Sequence, residues 1–173
     1  MLIKNVESSS KNSNIVKYFF ILTALLLSAC SLKDYKHSES KVVIIKTPKL
    51  KFSDLAYIKH TGSSVALELF VAGKQVQKIS IDYLICVDEG CMSKSGFNSE
   101  YLNSAYPDDI LQNIILGKSI YNKQNFLKNR DGFEQSIKNE SVNISYRVNS
   151  QQIYFKDKKN RIIFKIKDIY NGN

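Results

Sequence analysis

The chain has 173 residues, a formal net charge of +9, 43% hydrophobic residues, three Cys and no Trp. That length fits a single domain able to bury most of its apolar surface. The positive charge is carried by single Lys residues between apolar ones, with only Arg130, Arg147 and Arg161 added. This pattern excludes an Arg-cluster nucleic-acid binder, so no nucleic acid is expected. It fits anionic lipid head groups, where each Lys contributes roughly 1 kcal/mol. Solubilising the outer faces of strands would need the same lysines.

The first segment, 1–29, reads as an export signal. Lys4, Lys11 and Lys17 precede an apolar run from Tyr18 to Leu27, which small residues close. The run is short of the roughly 20 residues of a membrane-spanning helix, and its order of charge, apolar core and small residues is that of a secretory signal. Leu27-Ser28-Ala29-Cys30 has the form of a bacterial lipobox, so cleavage before Cys30 and lipidation of Cys30 are expected. A plain signal peptide and an uncleaved anchor are the alternatives. Cleavage leaves 144 residues carrying a net charge of about +7. Ser31 follows the Cys in place of the Asp that retains lipoproteins in the inner membrane, so the expected residence is the cell outer membrane. Residues 30–40 are polar and read as a lipidated tether, with residues 41–173 forming one domain.

The domain begins with period-two patterns. Lys41–Lys46 and Leu50–Ile58 read as strands. In Ser64–Ala72, Val65, Leu67, Leu69 and Val71 alternate with Ala66, Glu68, Phe70 and Ala72. Gly73-Lys74 is a tight-turn candidate. Val76–Val87 follows as one strand, with Ile79, Ile81, Tyr83 and Ile85 on one face. These are half-buried antiparallel strands joined by hairpins. Within them, Cys86 and Cys91 flank a turn-like Asp-Glu-Gly. In an oxidising envelope compartment they should form a disulfide, free buried thiols being the alternative. Two thiols and two dispersed His residues do not make a zinc site.

The middle changes period. Gly96–Ser104 reads as a weak helix and Pro107–Leu116 as a better one. Pro107 suits a first turn, Asp108 and Asp109 complement the helix N-terminus, and Gly117 suits the position past its end. Ile110, Leu111, Ile114 and Ile115 form one apolar stripe. Residues 117–131 read as polar loop. Strands return with Val142–Val148, Ile153–Phe155 and Ile162–Ile166, joined by Asn149-Ser150 and by a loop over residues 157–160. The order of elements predicts an α+β fold, a curved antiparallel sheet with one or two helices covering one face. Such a sheet either packs its helices tightly or leaves a lipid-sized cavity.

No catalytic or cofactor motif is present, and Asp108-Asp109 suits a helix start better than acid–base chemistry. An enzyme is therefore not expected, nor is any cofactor.

The stretch from Tyr106 to Gly117 and the hairpin from Ile153 to Lys167 resemble the LolB family, the lipoprotein-sorting receptors of the Lol pathway. The resemblance covers roughly Ser64–Ile169 and rests on the order of lipobox, tether, strands, helix closed by Gly, and a final hairpin with an Asp turn. It implies an unclosed antiparallel β-barrel with helices as a lid. It also implies a monomer whose cavity takes acyl chains of lipoprotein cargo from a LolA-type periplasmic carrier. The expected cavity lies between Leu67, Leu69, Ile79, Ile81, Tyr83, Ile144, Tyr146, Ile153, Phe155, Phe164 and Ile166, with Leu111, Ile114 and Ile115 as the lid. The family's projecting membrane-insertion loop corresponds to Phe70–Gly73, leaving Val71 and Ala72 where the family has a Leu. The Cys86/Cys91 pair is not part of the family pattern. A different class of function is an envelope-assembly lipoprotein with a full core that binds a protein partner or lipopolysaccharide.

Overall fold

The computed structural model describes residues 35–88 and 90–169; the expected signal segment and Cys30 lie outside the described residues. Eleven strands form one sheet. In chain order they are β1 (His37–Lys46), β2 (Lys51–His60), β3 (Val65–Val71), β4 (Lys74–Ile81), β5 (Ile85–Val87) and β6 (Gly90–Met92), followed by helices α1 (Lys94–Tyr101) and α2 (Ile110–Ile115). After a 3₁₀ turn at Tyr121–Lys123 come β7 (Phe126–Lys128), β8 (Gly132–Lys138), β9 (Asn143–Asn149), β10 (Gln152–Asp157) and β11 (Ile162–Asp168). The spatial order is β6-β5-β4-β3-β2-β1-β11-β10-β9-β8-β7. Every neighbour is a hairpin partner except β1 and β11, which pair antiparallel at the centre. β6 and β7 are the two edges, so the sheet is unclosed.

Period-two alternation places one face inward. Val43 lies opposite Ile166 and Ile45 opposite Phe164. Leu67 lies opposite Ile79, and Phe155 faces both Phe164 and Tyr146. All of these residues are buried. The aromatic rings of Tyr146, Phe155 and Phe164 meet edge to face at 6.1 Å, a geometry that adds to plain area burial. The two helices supply Phe97, Ile110, Leu111, Ile114 and Ile115 to the same core.

Several boundaries differ from the sequence reading. The expected tether to Ser40 is shortened because His37–Ser40 already pair with Tyr57–His60. The expected single strand Val76–Val87 is two strands, because the chain reverses at Asp82–Leu84, closed by Asp82 N–H to the Leu84 carbonyl at 2.9 Å. The reversal takes Tyr83 out of the pleat and leaves it 94% exposed, so Tyr83 is not an interior residue. The first helix starts at Lys94 and not at Gly96, since the Ser93 hydroxyl accepts from the Gly96 N–H at 3.0 Å and caps it. The second helix is only six residues, with a turn over Pro107–Asp109 before it. The polar stretch after Gly117 contains β7, and β8 lies in a segment to which the sequence reading assigned no element.

Candidate functional site

The inner face and α2 make the candidate site. All four apolar residues of α2 are buried. The helix is held at both ends. Before it, the Tyr106 hydroxyl donates to Asp157 Oδ2 at 2.8 Å, while Asn98 Nδ2 donates to the Pro107 carbonyl at 3.0 Å. After it, the Tyr146 hydroxyl donates to the Lys118 carbonyl at 2.9 Å. Gly117 has φ of 62° and closes the helix, with Lys118 N–H on the Asn113 carbonyl at 2.8 Å. From the side, Gln112 Nε2 donates to the Ser63 carbonyl at 2.9 Å.

Asp157 is fully buried and accepts from both sides. Its Oδ2 also receives Asn160 Nδ2 at 2.7 Å, and Oδ1 receives the backbone N–H groups of Asn143, Lys159 and Asn160. Burial by itself would raise the carboxyl, but the bonds from Asn160, Tyr106 and the backbone hold it below the usual carboxylate range. Burial and the neighbouring carboxylate push the Tyr106 hydroxyl up, and burial pushes Tyr121 up to about 12. Neither Tyr106 nor Asp157 stood out in the sequence as a pair, because 51 residues separate them. The Asp at the start of the last hairpin turn was the only local signal.

The structure brings the expected cavity residues together, Tyr83 excepted. Leu67, Leu69, Ile79, Ile81, Ile144, Tyr146, Phe155, Phe164 and Ile166 are buried with Leu111, Ile114 and Ile115, and Ile153 is half-buried at the rim. Their side chains fill the interior. The gap between Ile45, Leu67, Ile79, Phe97, Leu111 and Phe164 is about 10 Å³, at the lower limit for one water. A larger groove of about 130 Å³ opens at the rim between Ile58, Ile115, Leu116, Ile153 and Ile166. Lys41 sits at its mouth between Glu39 and Asp168, at 2.6 and 2.5 Å. Burial works against that ammonium, but its bonds to Asp168 and Glu39 raise it further above its ordinary value.

Cys86 and Cys91 lie directly opposite on β5 and β6 with Cα atoms 4.0 Å apart, joined as a disulfide. Val71 and Ala72 form the exposed tip of the β3–β4 hairpin, where Ala72 and Gly73 both take positive φ. The register shift between Leu69 and Phe70 leaves Val76 as a bulged residue, re-aiming that tip.

The register also gathers charge that is scattered in sequence. The β1–β2 and β10–β11 turns are neighbours because β1 pairs with β11. They carry Lys46, Lys49, Lys51, Lys158, Lys159 and Arg161, all exposed. Of these six, only Lys49 has a carboxylate within ion-pair distance among the described residues, Glu100 at 2.9 Å. Elsewhere on the sheet, His60 stacks on His37 at 4.8 Å, and Asp109 accepts from Asn113 Nδ2 at 2.7 Å without capping the helix backbone. Among the described residues no group of three His, Cys, Asp or Glu side chains converges as a metal site. No family model, curated protein or solved structure matches this chain.

Proposed function

We propose that this chain is a LolB-like outer-membrane lipoprotein, anchored through Cys30. In this reading its unclosed sheet accepts acyl chains of lipoprotein cargo from a LolA-type periplasmic carrier and passes them to the membrane. The observation that carries the reading is the kind of cover the inner face has. The apolar face of the unclosed sheet is covered by Phe97, Leu102, Tyr106 and Ile120 together with the four buried side chains of the six-residue helix α2, which is the separable part of the cover. That part is exchangeable in size. Four such side chains gain about 1.5–3 kcal/mol each on burial, some 6–12 kcal/mol together. An acyl chain of about fifteen methylenes gains about 12 kcal/mol at 0.8 kcal/mol each. An incoming chain can therefore displace α2 without nucleotide or metal, starting from the rim groove at Ile115 and Ile153.

The second reading is an envelope-assembly lipoprotein that binds a protein partner or lipopolysaccharide and transfers nothing. The filled interior favours it, as do the clustered cations of the two central turns. Photocrosslinking in cells separates the two. A crosslinker at Leu69 or Ile114 should capture lipoprotein or lipid if α2 gives way. Crosslinks confined to the chain itself, while the carrier is active, would leave the second reading standing and the transfer reading refuted.

A further inference from the structure

The antiparallel topology gives the sheet two ends, and the chain reaches the first of them at His37. The turns at Thr61–Ser64, Asp82–Leu84 and residues 150–151, and the end of β11, share this proximal end. The turns at residues 47–50, Ala72–Gly73 and 158–161 share the distal one. The large exposed apolar side chains are unequally divided. Tyr83 (94% exposed), Leu84 (46%) and Ile169 (39%) lie at the proximal end, and Leu127 (71%) lies two residues from the proximal β7–β8 turn. The distal end has two valines, Val71 and Val76, beside its exposed lysines.

We propose that the anchored domain stands on its proximal end, with the Tyr83–Leu84 turn and Leu127 in the bilayer interface. The distal turns, Val71 and Ala72 included, then face the aqueous side. This orientation rests on the reading of Cys30 as the lipidated residue. The length of chain between anchor and fold decides the matter. Cys30 and His37 are seven residues apart, at most about 25 Å whatever the conformation. β1 alone, ten residues long, spans about 30 Å. Standing on the distal end would need more than that reach, which falls about 5 Å short of the length of β1. Standing on the proximal end makes no such demand, because His37 is already at that end. Tyr and Leu at a turn suit the interface, where a ring with an apolar body and a polar tip sits at head-group level. The same geometry turns the loop matched to the LolB insertion loop away from the anchoring membrane. The six clustered cations are then presented to whatever approaches from the periplasm.

The chain contains no Trp, so a single Trp reports its own position. The full-length chain, processed in cells, is reconstituted into phosphatidylethanolamine–phosphatidylglycerol vesicles containing a lipid brominated high on its acyl chains. Variants Tyr83→Trp, Leu127→Trp and Val71→Trp are compared after flotation with the vesicles. The first two should lose about half or more of their fluorescence to the brominated lipid, and Val71→Trp should stay within about a tenth of its unquenched value. Equal or stronger quenching of Val71→Trp overturns the orientation. Co-flotation with no quenching at any position also overturns it, since the domain then stands clear of the lipid. Failure to float is a different result: it removes the anchor reading and the orientation with it.

Discussion

The Tyr106–Asp157 contact is a latch on the cover of the inner face, and Asp157→Asn tests it. The substitution keeps shape but removes the charge and turns one acceptor oxygen into a donor amide. Asp157 accepts five hydrogen bonds, two from the side chains of Tyr106 and Asn160 at 2.8 and 2.7 Å and three from backbone N–H groups. Whichever way the new amide is turned, it meets donors. Losing charge-assisted bonds at about 1.5–3 kcal/mol each, with partial relaxation at the turn, gives an expected loss of about 3 kcal/mol. Tyr106→Phe removes one of these bonds and should cost about 1–2 kcal/mol. The double variant should show a coupling of about 1 kcal/mol. The sign with pH follows from the depressed carboxyl. Its contribution is fully present above the unfolded value, near 3.9, and is lost as pH falls through the folded value below that. Urea unfolding at neutral pH and at steps down to about pH 3 measures both effects. The parent should lose stability more steeply than Asp157→Asn over the acid steps. Amide exchange over Ile110–Ile115 should quicken in the variant, since the turn leading into α2 is released. An Asp157→Asn variant within about 0.5 kcal/mol of the parent, with the same acid slope, would refute the latch.

The anchor, the disulfide and one glycine give further tests. Cys30→Ala should abolish lipid labelling and release the domain from membranes or leave it unprocessed; unchanged processing and fractionation would refute lipidation. Cys86 and Cys91 should resist alkylation under non-reducing conditions in protein taken from the envelope, and the double Ser variant should lose about 2 kcal/mol for so small a ring. Quantitative alkylation of both thiols is the contrary result. Gly132→Ala should destabilise by about 2–3 kcal/mol or more, because a Cβ there would sit 1.9 Å from the Val148 carbonyl oxygen across the β8–β9 pair. A neutral Gly132→Ala variant by thermal melting would contradict that packing.

Much of the sheet was legible because burial is one-sided. Alternation in Asn143–Val148 and Ile162–Ile166 identified strands and the inward face together, whereas Val65–Leu69 is buried on both faces, Ala66 and Glu68 included. The breaks were less visible. Tyr83 continues the alternation of Ile79 and Ile81 perfectly, so nothing local announces that the chain reverses at Asp82–Leu84. Only the register of Ile81 on Ile85 reveals it. β8 carries its own alternation in Gln135 and Ile137 against Glu134 and Ser136, but one of its two buried inward residues is a Gln. Gln135 is satisfied by the Ile120 backbone and the Gln124 carbonyl, so a polar residue occupies a core position that pattern reasoning reserves for apolar ones. The latch escaped for the same reason: Asp157 is a surface residue by type and a buried one by place.

The expected cavity residues, Tyr83 excepted, do point inward, while the volume between them was not legible, because period-two patterning fixes direction and leaves distance open. Leu67, Ile79 and Phe164 point to a common interior whether it holds a ligand or another part of the chain. What occupies it is Phe97 of α1, Leu102, Tyr106, Ile120 and α2, whose stripe of Ile110, Leu111, Ile114 and Ile115 was legible as amphipathic without any indication of how closely it would seat. A helix of six residues has little stability of its own, so its hold on the sheet rests on that stripe and on the polar contacts at its two ends, Tyr106 to Asp157 and Tyr146 to Lys118. α2 and an acyl chain compete, under the transfer reading, for one surface with similar gains. Under the transfer reading, breaking those end contacts sets the occupancy without touching the inner face. Tyr106→Phe should then raise binding of a fluorescent fatty acid by the factor that 1–2 kcal/mol implies, about 5–30-fold. A fatty-acid affinity unmoved in a variant that is measurably less stable would show that α2 belongs to the permanent core, and would favour the partner-binding lipoprotein over the transfer receptor.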